Sequence, residues 1–299
     1  MLDSVPRMTP ALAVDIGGSG VRAAVVGADG CHEPPARRPL GADMTRHQLL
    51  QAVAAAMDDA GAGEGCGIAV PGFVDADGCL RHVVNLPALE GVAVADAFPG
   101  AHVVPDLAAA AVAEARLGAG RGHTRVLVAA LGTGANAALV VDERVVETAY
   151  GCLGDAGHVV VEPDGPACPC GGVGCLEAIA SGPALARAGR EIGIPAAGLV
   201  VAAARTGDPR ARAIVRRAGI ALGRAIVSWS VMTFPDVVVV GGGVADAGEL
   251  LLEPARREMA RLGPPYVVDR LEVVVAGLGR DATLVGAGLV ALERSVAAA

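Results

Sequence analysis

An α/β fold built from two related lobes is what the order of elements along this 299-residue chain predicts. Apolar runs of strand length alternate with stretches of helical period, the pattern of βαβ units around a largely parallel sheet. In addition, a strand, a glycine-rich turn and a returning strand occur twice, near residues 11–26 and 125–141, the trace of a duplicated β-hairpin. A chain that is 53% apolar with 42 glycines also produces such echoes without duplication, so that alternative stays open.

Each element has its own signal. Ala11 to Ile16 and Val21 to Val26 are apolar runs flanking Gly17-Gly18-Ser19-Gly20, which reads as a hairpin whose turn can approach a ligand closely. Leu49, Leu50, Val53, Ala56 and Met57 fall at helical spacing, and Cys66 to Val70 is a third strand ending at Pro71-Gly72. His102 to Val104 is a short strand running into Pro105-Asp106, followed by an Ala-rich helix over Leu107 to Leu117. Asp106 thus sits where a strand gives way to a helix N-terminus, a position that favours a carboxylate. The second hairpin joins Arg125–Leu131 to Ala137–Val141 through Gly132-Thr133-Gly134. A long helix over Asp208 to Phe234 is expected to break near Gly219 or Gly223. Val237 to Val240 is a buried strand closed by Gly241-Gly242-Gly243. A helix over Ala247 to Leu262, a strand over Leu271 to Ala276 and a last helix from about Ala282 to Ala297 complete the chain.

Composition narrows the function. A net charge of −8 and a pI near 5.3 argue against nucleic acid as the main partner, because phosphate neutralisation needs clustered Lys and Arg. An anionic nucleotide is still admissible, since backbone N–H groups and magnesium can hold it. Met1 to Pro10 lacks the basic start and apolar core of a leader, and no run approaches the ~18 apolar residues of a membrane span. The expectation is a cytoplasmic protein.

Seven cysteines are unevenly spaced. Cys31, Cys66, Cys79 and Cys152 are scattered, whereas Cys168, Cys170 and Cys175 fall within eight positions and follow His158. A Cys₃His set with Gly171, Gly172 and Gly174 between the ligands suits a closed, structural zinc site, and with four protein ligands it would leave no position for a hydrolytic water. Free buried thiols are the plain alternative.

The run Gly154-Asp155-Ala156-Gly157-His158, continued by Cys168-Pro169-Cys170 and Gly174-Cys175-Leu176-Glu177, resembles the zinc signature of the ROK family of repressors and sugar kinases. Asp15-Ile16-Gly17-Gly18-Ser19 is similar to that family's first phosphate loop and Leu131-Gly132-Thr133-Gly134 to its second. Val70 to Asp75 with Asn85-Leu86-Pro87 resembles its sugar-side segment, and Val240-Gly241-Gly242-Gly243 its adenosine loop.

The resemblance implies an actin-like (ribonuclease H-like), two-lobed kinase that transfers a phosphoryl group from ATP to a hexose-like hydroxyl. It implies a small lobe over 1–117, with a C-terminal helix of about 282–299 packed back on it. The large lobe, 118–281, would carry the zinc site and the adenosine loop. It also implies Asp106 as the catalytic base and Asn85, Asp106, Asp155, His158 and Glu177 as sugar contacts. The nucleotide falls to Asp15, Gly17, Gly18, Ser19, Gly132, Thr133, Gly134, Gly241, Gly242 and Gly243, with Asp15 near Mg²⁺ through water. Zinc falls to His158, Cys168, Cys170 and Cys175, and the expected assembly is a homodimer. Each carboxylate and amide also has a local reading: a turn cap for Asp15, a helix cap for Asp106, loop capping for Asn85 and Glu177.

Three departures bear on specificity. Pro105 replaces an amide side chain beside the catalytic carboxylate, Asp155 replaces Glu, and Gly20 replaces a longer polar residue. An amino sugar or a cyclitol is therefore expected to suit the site better than glucose. The competing class is a sugar sensor without catalysis. With roughly ten residues before the first strand, no DNA-binding domain is expected ahead of it, which favours the enzyme.

Overall fold

The computed structural model describes residues 9–41, 43–148 and 152–297. The reading of Met1 to Pro10 therefore falls mostly outside the described residues, as do 298 and 299 at the end of the expected last helix. The chain divides into two compact units, one comprising Met1–Leu117, Glu147–Cys152 and Arg280–Ala299, the other Gly118–Val146 and Leu153–Gly279.

The first unit opens with β1 (Ala11–Gly17), β2 (Gly20–Val26), β3 (Ala36–Pro39), α1 (Arg46–Ala60) and β4 (Cys66–Val70). Then come β5 (Phe73–Val74), β6 (Leu80–Arg81), α2 (Val94–Ala97), β7 (Ala101–Pro105) and α3 (Asp106–Arg116). Its sheet has the order β3-β2-β1-β4-β7, with β1, β4 and β7 parallel and β2 and β3 antiparallel. β1 is covered on both faces, which explains its unbroken apolar run. Val14 and Ile16 pack with Leu49 and Val53 of α1, while Ala13 packs with Ala69 and Ala109 on the opposite face. α1 starts where Thr45 and Gln48 form a reciprocal capping box, and it buries Leu49, Val53 and Ala56 along one stripe.

The second unit contains β8 (Arg125–Leu131), β9 (Ala135–Val141), β10 (Arg144–Val145), α4 (Glu177–Ala180), α5 (Gly182–Glu191) and α6 (Ala197–Thr206). It continues with α7 (Pro209–Thr233), β11 (Val237–Gly241), α8 (Glu249–Leu262), α9 (Pro265–Val268) and β12 (Glu272–Val275). Its sheet order, β10-β9-β8-β11-β12, repeats that of the first unit strand for strand, including the sense of each pairing. A chance echo of apolar runs would not reproduce that order, so the lobes are duplicated. α10 (Ala282–Ala297) belongs to the first unit. It lies at backbone contact there: a Cβ on Gly67 would stand 1.9 Å from the Ala287 carbonyl, and one on Gly286 would stand 1.8 Å from that of Ala109.

Two expectations are corrected. α7 runs unbroken over 25 residues through Gly219 and Gly223. Those glycines are contact points for α8, where added Cβ atoms would meet the carbonyls of Leu251 at 2.3 Å and Ala255 at 2.4 Å. Tertiary packing outweighs their roughly 1 kcal/mol helix penalty each. α8 begins at Glu249 and not at Ala247, because Gly248 takes a positive φ of 57° after a short 3₁₀ turn. Among the described residues, no helix is long and apolar enough to cross a membrane.

Candidate active site and metal centre

In the first unit, the candidate groups gather at the carboxyl ends of the parallel strands, the usual place for ligands in such sheets. The β1–β2 register closes at Gly17↔Gly20, which leaves Gly18 and Ser19 as an exposed turn. A Cβ on Gly18 would stand 2.8 Å from Cβ of Asn85, so Asn85 lies directly over this turn and only glycine leaves room for it. The Asn85 loop is shaped by Glu90, which accepts the amides of His82 and Val83. Asp75, at the end of the sugar-side segment, accepts the amides of Asp77 and Cys79 and pairs with Arg81.

Asp15 stands directly across the hairpin from Arg22, which donates to its Oδ2 from Nε at 3.0 Å and Nη2 at 2.6 Å. Arg22 also donates to Asp281 Oδ1 and to the Arg280 carbonyl, which ties the phosphate hairpin to the start of α10. Asp15 is therefore braced by a cation and is not a turn cap. Asp106 opens α3 after Pro105, the residue in the cap position. Its Oδ1 accepts the Leu107 amide at 2.6 Å. Burial pushes the Asp106 carboxyl up to about 6. The Leu107 amide opposes that shift, and the negative charge of Asp15 adds to it.

In the second unit, β8 and β9 pair down to Leu131↔Ala135, and Gly132-Thr133-Gly134 forms the turn. The Gly132 amide donates to the Gly134 carbonyl at 2.9 Å, and the Gly182 amide donates to the Gly132 carbonyl at 2.7 Å. Glu177 Oε2 accepts the Ala135 amide at 3.0 Å, so this predicted sugar contact also braces the second phosphate turn. Gly242, with φ of 86°, places its backbone against Leu131, and the Val244 amide donates to the Leu131 carbonyl. The Gly241–Gly243 turn thus abuts the Gly132–Gly134 turn.

His158, Cys168, Cys170 and Cys175 place one ligand atom each within 4.8 Å of one another. Cys170 Sγ lies 3.8 Å from Cys175 Sγ, and Cys168 Sγ lies 3.4 Å from His158 Nδ1. A tetrahedral zinc with Zn–S near ~2.3 Å and Zn–N near ~2.0 Å requires edges of about 3.8 and 3.5 Å, so the donors fit that ion. Burial pushes the Cys175 thiol up to about 12, whereas the Gly172 amide lowers Cys170. Filling the cluster must therefore displace protons. The loop can wrap this tightly because a Cβ on Gly174 would collide with the Glu162 carbonyl at 1.5 Å. The other ring nitrogen of His158 lies 3.5 Å from Asp155 Oδ2.

Several positioning residues escaped the sequence reading. Asn136 Oδ1 accepts the Ala156 amide, which ties β9 to the turn that presents His158. From α7, Arg217 pairs with Glu162 and Arg224 donates to the Val161 carbonyl, and Arg224 is itself held by buried Glu258 of α8. Asp106, Asn85, Asp15 and the first phosphate turn belong to the first unit. Asp155, His158, Glu177, the second turn, Gly241–Gly243 and the Cys₃His cluster belong to the second.

The chain is similar to known proteins over nearly its full length. It is 32% identical over 308 residues to a glucokinase of Thermotoga maritima, covering 95% of this chain and 97% of that one. It is 31% identical to an N-acetylmannosamine kinase of Escherichia coli, covering 94% and 97%. The structure of a ROK family glucokinase from Streptomyces griseus, in complex with glucose and AMPPNP, superposes with a TM-score of 0.81 at 30% identity, covering 95% of this chain and 99% of that one. The duplicated α/β architecture is accordingly the actin-like fold of these enzymes. The ROK family model matches residues 11–294, and the chain belongs to the ROK family.

Proposed function

We propose that this protein is an ATP-dependent sugar kinase in which Asp106 accepts the proton of the attacking sugar hydroxyl. The observation that carries the reading is the carboxylate at the end of β7, raised to about 6, in a chain matched along its length by sugar kinases. A base with a pKa just below neutrality is largely ionised at working pH and still a competent proton acceptor. As the hydroxyl oxygen forms its bond to the γ-phosphorus, its proton passes to Asp106 and the bond from phosphorus to the ADP oxygen breaks. Backbone amides of the two glycine turns, with the Ser19 and Thr133 hydroxyls, are suited to hold the phosphates. The loop of Gly241, Gly242 and Gly243 is suited to lie against the adenosine. Mg²⁺, held through water by Asp15, would neutralise phosphate charge.

The donor set and edge lengths at His158, Cys168, Cys170 and Cys175 support a structural zinc. Such an ion would fix the imidazole of His158 so that its free nitrogen, with Asp155 and Glu177, can face a sugar. On the acceptor, Pro105 removes a hydrogen-bonding side chain beside the base, which favours a ring altered at the position it faces. An N-acetylated or amino hexose or a cyclitol is therefore preferred over glucose. The family membership supports a cytoplasmic homodimer.

The test is ADP release from Mg·ATP across glucose, mannose, their amino and N-acetyl derivatives and inositols, run beside Asp106→Asn. Turnover on one acceptor, lost by at least ~100-fold in the variant, is the expected result. Highest kcat/KM on glucose would overturn the substrate proposal. Unchanged turnover in Asp106→Asn would overturn the assignment of the base.

A further inference from the structure

Residues 159–162 form a strap between the two halves of the Cys₃His cluster. His158 directly precedes the strap, and Val160 pairs antiparallel with Cys175. The amides of Val161 and Glu162 donate to the Gly174 carbonyl at 2.8 and 3.1 Å, and the Leu176 amide donates back to Val159 at 3.0 Å. Where His158 stands against the three cysteines therefore depends on where this strap lies.

Arg224, on α7, grips the strap by its backbone. Its Nη1 donates to the Val161 carbonyl at 3.0 Å, and among the described residues no other donor reaches that carbonyl. Val161 is buried in the core of the second unit, so without Arg224 a polar backbone atom would be stranded there. The guanidinium is aimed by Glu258 of α8, whose Oε1 accepts from Arg224 Nε at 2.8 Å. Glu258 is itself buried, and Arg261 donates to both of its oxygens, at 2.8 and 2.9 Å. The Arg261 hydrogen bonds outweigh burial and, with those of Arg224, hold the Glu258 carboxyl down to about 2, so it stays charged. α7 and α8 already meet backbone to backbone at Gly219 and Gly223, so packing the two helices does not require the ion pair. The fork of a guanidinium reaches the carboxylate and the carbonyl together, which the point charge of a lysine does not.

We propose that Arg224 is a positioning residue of the acceptor side, holding the 159–162 strap and thereby the His158 ring and the closure of the Cys₃His cluster, with Glu258 fixing Arg224 in that role. The inference rests on the zinc and sugar-contact reading given above. Loss of Arg224 frees the strap without touching any ligand of the cluster, and Glu258 keeps Arg261 as its partner, so the fold survives the change.

The test is amide exchange, zinc loss to a chromogenic chelator and steady-state kinetics on Arg224→Met and Arg224→Lys. Arg257→Met is the control, because it breaks an exposed ion pair with Glu253 next to Glu258 on α8. In Arg224→Met, the amides of Val161, Glu162 and Leu176 should exchange about tenfold faster, with β8 and β11 unchanged. Zinc should leave about tenfold faster. KM for the best acceptor of the panel above should rise about tenfold, and KM for Mg·ATP should stay within about twofold. Arg224→Lys should recover part of each change, and Arg257→Met should match wild type. Unchanged strap exchange in Arg224→Met would overturn the proposal, as would acceleration spread equally over β8 and β11, the mark of a merely structural ion pair. An unchanged acceptor KM would overturn the role toward the sugar. A wild type that holds no zinc would overturn the metal reading instead, and faster strap exchange with a raised acceptor KM would then still support the role of Arg224.

Discussion

The two glycine-turn hairpins, β1–β2 and β8–β9, share a backbone and differ in what holds it. β1–β2 and β8–β9 each pair two seven-residue strands, and each occupies the same place in its sheet. The first turn is braced by side chains, through the Arg22–Asp15 pair behind it and Asn85 above Gly18. The second is braced by backbone and by the segment carrying the Cys₃His cluster. Gly182 donates to Gly132, Glu177 two residues after Cys175 accepts Ala135, and Gly157 next to His158 is pressed against the Ala135 carbonyl. One duplicated element has thus been given two supports. The first can be weakened by a point change in charge, whereas the second answers to the state of the cysteine cluster.

Breaking the second support has the largest expected effect. Glu177→Ala removes the acceptor for the Ala135 amide together with a candidate sugar contact. We expect kcat/KM to fall by about 100-fold, with part of the loss recovered in Glu177→Gln, whose side-chain carbonyl still accepts the amide. Steady-state kinetics with both substrates varied would check it. Equal activity of the Ala variant and wild type would make the Glu177 bond incidental.

Removal of the proposed zinc sharpens the same contrast. A chelator strong enough for zinc should lower Tm by at least about 5 °C and speed amide exchange at Ala135 and Ala156. Exchange in β1 and β2 should stay unchanged under conditions where the protein remains folded. Equal acceleration in both hairpins would refute a metal-dependent brace confined to the second.

What the sequence made legible follows from how local each signal is. The strands β1, β4, β8 and β11 are buried on both sides, so their apolar runs are visible without any knowledge of partners. The glycine turns and the Cys₃His spacing are equally local. The edge strand β3 was not found, because Arg37 and Arg38 break the apolar pattern, as edge strands tend to. Arg22, Asn136 and Arg224 were missed for a different reason. Nothing marks them in the chain, and each acquires its role from register or from a distant carbonyl. Gly219 and Gly223 were misread as breaks because helix propensity sees the residue and not the neighbouring helix. Asp106 was legible as a site by its position at a strand-to-helix junction, but not its acidity, which depends on burial and on Asp15.

The first support rests on one ion pair, and Arg22→Met tests it. Asp15 would lose its cation, and its charge would then act on the first phosphate turn uncompensated. We expect KM for Mg·ATP to rise about tenfold with a smaller change in kcat, and KM for the sugar to stay within about twofold. A rise in the sugar KM alone would mean that Arg22 supports a different part of the site.

The smallest expected effect is a displaced pH profile, and it joins the two carboxylates of the first unit. As the proposed base, Asp106 must be ionised to accept a proton, and its folded-state pKa is raised from 3.8 to about 6, so kcat/KM should halve near pH 6 and fall tenfold per unit below it. Stability carries the opposite sign. A carboxyl whose folded pKa is raised binds its proton more tightly in the native state, and that contribution is fully present below pH 4 and lost as pH rises through 6. Wild type therefore forfeits at most about 3 kcal/mol over that interval, and Asp106→Asn does not. The variant should unfold at higher temperature than wild type at pH 8, with the gap closing by pH 4. Because Asp15 contributes to the raised value, Arg22→Met should move the acid limb of kcat/KM further up by leaving the Asp15 charge unopposed. A limb that stays in place in Arg22→Met would show that the two carboxylates are electrostatically independent, and burial alone would then account for the acidity of the base.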